Sequence, residues 1–222
     1  MNKDNLKAVL VTSGPTRAYF DSVRYIANKS SGALGVCIVE EFLYRGVPVI
    51  HIKGSGSIMT DVKGNRLYTS IKIETLNDLE TALEKVKSER RVSAVVHAMA
   101  VLDYIPESIM EDKKSSDDDY WDIRLVKTPK YIGIMRELFP EAFFVGFKLE
   151  SGLSEEQLKD KAIDLLRKNN IDVVVANDIR KVGAEHHEAI FVNADGSIFR
   201  RAKIKARIAE AIADIVVKNI KK

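Results

Sequence analysis

Five short runs of β-branched, aliphatic and aromatic residues recur along the chain with helical patterning between them. This alternation constrains the fold more than any other feature. Lys7–Thr12 (KAVLVT), Val47–Ile52 (VPVIHI), Val92–Ala100 (VSAVVHAMA), Ala142–Lys148 (AFFVGFK) and Val173–Ala176 each read as a strand, buried on both faces if the sheet is parallel. Apolar residues at helical spacing run through Ser31–Tyr44, Leu76–Val86, Ser154–Asn169 and Lys203–Ile220. Strand, helix and strand in that order predict right-handed βαβ units. The expected architecture is an α/β three-layer, Rossmann-like sandwich with a mainly parallel central sheet. Leu67–Ile73 and Ile123–Val126 read as further strands, and Lys127-Thr128-Pro129 opens a helix reaching Leu138. Asp195-Gly196, between Glu188–Asn193 and Ser197–Arg200, predicts a C-terminal β-hairpin. Gly46 is placed to end the first helix, Thr75 or Asn77 to cap the second, and Ser154 with Glu156 or Gln157 to form a capping box.

With no internal repeat and no linker-like stretch, the 222 residues are expected to form a single domain, 1–222. The net charge of +3 is small and its basic residues are scattered, which argues against nucleic acid as a partner and leaves anionic small substrates open. Cys37 is the single cysteine, so no intrachain disulfide forms, and the expected compartment is the reducing cytoplasm. The N-terminal MNKDNLKAVLVTSG is a charged lead into a strand, not a signal peptide, and no apolar run approaches membrane-spanning length.

The chemistry concentrates in Asp21–Gly35 (DSVRYIANKSSGALG). Here Arg24, Asn28, Ser30, Ser31, Gly32 and Gly35 lead directly into a helix. Free N–H groups and the positive end of the helix dipole make such a turn a phosphate site. The plainer reading is a helix start that needs small residues for packing. Ser31-Gly32-Ala33-Leu34-Gly35 also resembles the back half of a dinucleotide fingerprint, but a long loop separates it from the first strand. The second strand ends in His51-Ile52-Lys53, with no carboxylate for a ribose, although Lys53 would suit the 2′-phosphate of NADP. Ser13-Gly14, Ala100–Asp103, Phe147-Lys148 and Asn177-Asp178 fall at strand C-termini, where open α/β sheets bind ligands.

Lys53–Lys63 reads as a glycine- and serine-rich loop, and Pro106–Asp122 as a flexible flap whose Lys113 and Lys114 would carry charge onto phosphates. A solvated lysine pair is the plainer reading. His51 and His97 read as core histidines, and His186-His187 as a surface pair in a turn. Without a Cys-His or Ser-His-Asp set, covalent hydrolysis is not expected.

Taken in order, these motifs resemble one family. Ser13-Gly14-Pro15-Thr16-Arg17, followed by Val23–Gly32 (VRYIANKSSG), resembles the signature of the phosphopantothenoylcysteine synthetases, also called phosphopantothenate–cysteine ligases. Ala100-Val101-Leu102-Asp103-Tyr104, the flap lysine, Leu125–Pro129, Gly146–Glu150 and Ala176-Asn177-Asp178 follow in the family's order over nearly the whole chain. The resemblance implies a ligase that condenses 4′-phosphopantothenate with L-cysteine in coenzyme A biosynthesis. Its route would be an acyl-nucleotide, with CTP favoured over ATP as co-substrate, Mg²⁺ as cofactor and a homodimer as the assembly.

The same resemblance implies the roles. Asn28 would hold the reacting carboxylate and the acyl-nucleotide, and Lys113 would assist activation from the flap. Arg24, Ala100 and Asp103 would bind the pantothenate arm. Gly14, Ser30, Gly32 and Gly35 would cradle nucleotide phosphates, while Phe147 and Asn177 line the nucleotide pocket. It does not name metal ligands. The chain departs from the pattern at Lys113-Lys114-Ser115-Ser116, where many bacterial members have Lys-x-Lys-Lys, at Ala33-Leu34, which replaces lysine-methionine, and at Thr128-Pro129-Lys130, which replaces Asn-Pro-Asp. No upstream segment has room for a fused flavin-dependent decarboxylase, so a stand-alone synthetase is expected. The rival readings are a non-catalytic nucleotide-binding regulatory module and an NADP-dependent reductase.

Overall fold

A computed structural model describes residues 7–62, 64–183 and 186–220. Lys63 of the expected loop and the first six residues of the charged lead lie outside the described residues. Eight strands form one sheet: β1 (Ala8–Pro15), β4 (Val49–Gly54), β5 (Tyr68–Ile73), β6 (Val92–Ala100), β9 (Phe143–Glu150), β10 (Val173–Asp178), β11 (Ala189–Asn193) and β12 (Ile198–Ala202). Their order across the sheet is β12-β11-β10-β9-β6-β1-β4-β5. The six strands from β5 to β10 run parallel, and β11 and β12 add the antiparallel C-terminal hairpin. The α/β sandwich with a mainly parallel sheet is therefore the observed fold.

The strand order reverses at β1: the chain crosses from β1 to β4 and β5 on one side, then returns past β1 to β6 and β9 on the other. That reversal opens a crevice at the C-terminal ends of β1 and β6. All eight residues of β1 are buried, as a central strand covered on both faces requires.

Two apolar cores lie on opposite faces of the sheet. One packs α1 (Ala33–Tyr44) and α5 (Lys205–Ile220) around Phe42, Ile38, Phe191, Ile208 and Ile212. The other packs α2 (Leu76–Glu89), α3 (Tyr131–Leu138) and α4 (Glu155–Asn169) around Leu79, Leu83, Met135, Phe144 and Leu166. Local signals set the helix boundaries. Thr75 and Asp78 form a capping box at the start of α2, as do Ser154 and Gln157 at the start of α4. After α1 the chain turns at Gly46, whose φ of 71° is left-handed and whose N–H reaches the Leu43 carbonyl.

Two small sheets stand outside the layers. The residues between β1 and α1, read from sequence as a loop, contain a hairpin of β2 (Arg17–Tyr19) and β3 (Tyr25–Ala27). β7 (Tyr104–Pro106) pairs with β8 (Leu125–Lys127) across the segment read as a flap. These three-residue strands carry no alternating pattern long enough to read, and their pairing depends on tertiary contacts. Among the described residues, no helix is long and apolar enough to cross a membrane.

Candidate functional site

Two cavities flank the C-terminal edge of the sheet, one on each face. The first, about 240 Å³, lies on the α1/α5 face. Lys29–Gly35 wall it on one side, Ala98–Ala100 of β6 and Phe147 and Leu149 of β9 form the floor, and Asn177, Ile179, Val182, His187 and Lys205 close the far side. The second, about 280 Å³, lies on the α3/α4 face and is lined by His97, Val101, Asp103, Lys130, Lys148 and Lys168 among others. Met99 and Phe147 line both cavities.

The first cavity meets the start of a helix. Gly32, whose φ is 70°, precedes α1 and has no side chain to cap it, and the Ala33 N–H reaches the Ser31 hydroxyl at 3.4 Å. The first turn carries no acidic residue, and no carboxylate lines the cavity among the described residues. Lys29 and Lys205 add positive charge. The first-turn N–H groups and the dipole's positive end therefore face a space suited to an anion. Glycines set this geometry at two positions. A Cβ on Gly35 would sit 2.1 Å from the Ser13 Cβ, so only glycine lets α1 settle onto β1. Gly14, with φ 78°, lies beneath Gly32, and a Cβ there would collide with Ser57 Oγ. Gly14 does not line the cavity.

Ser57 and its neighbours also fill the space beside the turn on the β4 side. The Ser57 hydroxyl donates to the Gly54 carbonyl at 2.6 Å, and the Ile58 N–H donates to the Ser31 carbonyl at 2.9 Å. A dinucleotide would place its adenosine half over β4, beyond this loop. Lys53, weighed above for NADP, lies outside the cavity and donates to the Met59 sulfur.

Asn28 lines neither cavity and lies between Lys29 of the first and Val101 of the second. Its Nδ2 donates to the carbonyl oxygens of Val101 at 3.0 Å and Ala100 at 3.4 Å. The loop ahead of α1 is thereby tied to the end of β6. Threonines hold that end in shape: Thr16 Oγ1 accepts from the Leu102 N–H at 3.0 Å, and Thr128 Oγ1 donates to the Leu102 carbonyl at 2.7 Å. Asp103 follows, exposed and paired with Lys130 at 2.5 Å. Asn28, Ser30, Gly32, Gly35, Ala100, Asp103, Phe147 and Asn177 all fall on this edge.

Arg24 and Lys113 do not line either cavity. The Arg24 guanidinium donates to the Asp21 carboxylate at 2.7 Å and to the Lys114 carbonyl at 3.3 Å, and lies 5.6 Å over the Trp121 ring. Asp21, which the sequence reading left without a role, is the hub of this contact. It is buried, and its carboxylate also accepts from the N–H groups of Val23, Arg24 and Lys114. Burial pushes the carboxyl up, but those N–H donors and the guanidinium outweigh it and hold the Asp21 carboxyl below the usual aspartate value. The Met110 N–H donates to the Phe20 carbonyl at 3.0 Å, and Phe20 meets Trp121 edge to face at 5.9 Å. The flap is irregular in backbone, as expected, and docked along the β2–β3 turn. Lys113 itself is exposed.

His51 and His97 are core histidines, as expected. His97 Nδ1 shares a 2.7 Å hydrogen bond with Thr12, and His51 bridges Ser13 and Tyr68 at 2.8 and 3.0 Å. Burial pushes each down to about 4. The reading of His186-His187 as a surface pair is corrected. His186 is exposed beside Glu188, but His187 is buried in the cavity wall. A sequence signal was available: Ala189 and Phe191 face the α1/α5 core, and the two-residue period of β11 carries back to His187.

Among the described residues, no group of three or more histidine, cysteine, aspartate or glutamate side chains is arranged to hold a metal ion.

Residues 5–220 match the family model described as the DNA/pantothenate metabolism flavoprotein C-terminal domain. The chain is 36% identical over 214 residues to the coenzyme A biosynthesis bifunctional protein CoaBC of Thermococcus kodakarensis, covering 96% of this chain and 52% of that protein. It thus spans about half the length of the curated relatives it matches. A crystal structure of the DNA/pantothenate metabolism flavoprotein from Streptococcus pneumoniae superposes with a TM-score of 0.85 at 30% identity, over 96% of this chain and 99% of that one. The C-terminal domain of a coenzyme A biosynthesis bifunctional protein CoaBC shares the fold at a TM-score of 0.73 and 24% identity, over 100% and 99% of the two chains.

Proposed function

The chain belongs to the family of the DNA/pantothenate metabolism flavoprotein C-terminal domain, and from that membership we propose that it is a phosphopantothenate–cysteine ligase of coenzyme A biosynthesis, acting as a single domain over residues 1–222. The observation that carries this reading is the join at Asn28. One side chain, next in sequence to Lys29 of the first cavity, ties that turn to the β6 terminus, where Val101 and Asp103 line the second cavity. A triphosphate in the first and an acid in the second would meet at that side chain.

A carboxylate is a poor electrophile and must first be activated. The carboxylate of 4′-phosphopantothenate attacks the α-phosphorus of the nucleoside triphosphate, and pyrophosphate leaves. The free amine of L-cysteine then attacks the acyl carbon of the acyl-nucleotide, the nucleoside monophosphate leaves, and the amine gives up a proton to solvent. In this scheme the start of α1, with Ser30, Gly32 and Gly35, receives the phosphates. Gly14 supports that turn from below. Phe147 and Asn177 flank the nucleoside, Ala100 and Asp103 border the pantothenate arm, and Asn28 orients the carboxylate and the acyl-nucleotide. Asp103 would exchange Lys130 for the pantothenate hydroxyl or amide. Arg24 and Lys113 would act from the docked flap and hairpin, and both must shift to reach either cavity.

Mg²⁺ would enter as an ion carried by the triphosphate, beside the Ser30 and Ser31 hydroxyls and the Asn177 amide that line the cavity. When bound it neutralises charge on the phosphates. The proposal further includes CTP as the preferred donor, a cytoplasmic location and a homodimer. The exposed apolar residues Val23 and Tyr25 on the β2–β3 hairpin, and Ile109 and Met110 on the flap, offer surface for the dimer, beside the β11–β12 hairpin expected from sequence.

Pyrophosphate release tests the reading. With CTP, Mg²⁺ and phosphopantothenate, release should be limited to about the enzyme present, and continuous once cysteine is added. ATP is expected to work less well. Nucleotide binding without pyrophosphate release would leave a regulatory module. Binding of NADPH with no response to CTP would leave a reductase.

A further inference from the structure

His187 has a polar atom that no described residue satisfies. The residue is 7% exposed, and its Nδ1 is buried without a hydrogen-bond partner among the described residues. Such orphaned atoms are costly and uncommon in native proteins. Its backbone N–H donates to the Lys203 carbonyl at 2.8 Å, and the residue bridges to Val182. The side chain lines the first cavity, and a turn of the imidazole about its Cβ–Cγ bond would bring the buried nitrogen to face it.

The position within that cavity suggests which part of a ligand it meets. Phosphates are drawn to the opposite wall, where α1 begins beside Lys29. Between that wall and His187 lie Phe147, Leu149, Ile179 and Val182, with the Asn177 amide among them. Flat apolar walls with one or two polar groups suit the faces and edge of a nucleobase. Burial, followed by the charges of Lys205 and His186, pushes the imidazole down to about 4, so it is neutral at pH 7 and offers a polar edge rather than a counter-charge. A neutral imidazole carries one donor and one acceptor nitrogen, which matches a base edge better than a phosphate.

We infer that His187 is a specificity-determining residue of this cavity, whose Nδ1 forms a hydrogen bond with the base of the bound nucleotide. The assignment rests on the nucleotide reading of the cavity. It separates base recognition at the β10–β11 end from phosphate binding at the α1 end.

Calorimetric titration with two probes tests it: Mg²⁺·CTP, and Mg²⁺·tripolyphosphate, which has the charge but no base. His187→Leu keeps bulk and removes the polar atom. It should weaken CTP about five- to tenfold, as loss of one hydrogen bond does, and leave tripolyphosphate within about twofold. His187→Asn, whose amide occupies the Nδ1 position, should recover most of the CTP affinity. Equal weakening of both probes, or unchanged CTP affinity, would overturn the assignment while leaving the nucleotide reading intact. If the wild-type protein binds neither probe, the nucleotide reading falls and this assignment with it. Should His187→Leu fail to fold, His187→Gln, which moves the polar tip beyond the Nδ1 position, takes its place with the same expectation.

Discussion

The side-chain amide of Asn28 donates to the carbonyl oxygen of Val101 at 3.0 Å, across 73 residues of sequence. This one bond fixes the spacing between the helix-start turn and the end of the strand that leads to Asp103.

Asn28→Asp cannot make that bond. It sets a carboxylate against two carbonyl oxygens at the point where the substrate acid and the triphosphate are proposed to meet. We expect product formation to fall by about 10²-fold or more, in the range seen for a lost donor at a reacting oxygen. The second half-reaction should stall, leaving about one pyrophosphate released per site. Quenched-flow comparison of pyrophosphate and product formation measures this, and normal turnover would remove Asn28 from the mechanism.

Gly35→Ala should destabilise the protein by about 1–3 kcal/mol, the usual range for overpacking. The added methyl meets the Ser13 side chain on a fully buried strand that cannot retreat. Adding Ser13→Gly should restore part of the loss despite removing the hydrogen bond to His51. Urea denaturation of the two single variants and the double variant gives the coupling. Additive effects would contradict the packing argument.

Asp21 holds the flap to the hairpin through its ionised carboxylate. Its folded pKa lies below the unfolded value, so its contribution is complete above about pH 4 and is lost as pH falls through the lower folded value. Asp21→Ala should make residues 107–122 about tenfold more sensitive to protease at pH 7, since local opening follows the contacts that hold a segment down. The melting temperature should change little. Hydrogen exchange at the Lys114 amide is the sharper measurement, and unchanged protection there would refute the clasp.

His97 titrates at about 4 in the folded protein because it is buried. The unfolded chain binds that proton near pH 6.5. Between these values the unfolded state holds more protons, so stability rises with pH across the window and is complete above it. His97 contributes a slope of about 1.4 kcal/mol per pH unit there. His97→Gln should flatten the fall in stability between pH 6.5 and pH 5 by about that amount, leaving the part due to His51 and His187. Urea midpoints over this range would show it, and an unchanged slope would count against it.

The layered sheet and the glycine turn that starts α1 were legible because their signals are local. Buried runs such as Val92–Ala100, helix starts such as Ser154 with Gln157, and glycines at the start of α1 all act within a few residues. The β2–β3 hairpin was not legible, because Arg17 is held by Glu74 at 2.6 Å and stacks on Tyr25, and neither contact has a sequence period. Asp21 was missed for the same reason. Its flap partner is a backbone N–H 93 residues away, and any residue other than proline supplies one. His187 was misread through composition, two histidines in a turn, where the alternation of the following strand gave the side it faces.

Met99 and Phe147 line both cavities, Met99 packing with the α2/α3/α4 core and Phe147 with the α1/α5 core. A change of size at either position reaches the wall of both cavities. Under the proposed function, selection on donor choice and selection on acid choice would therefore act on the same pair of positions. A variant retuned for a new nucleotide should carry a correlated change in its discrimination among acids.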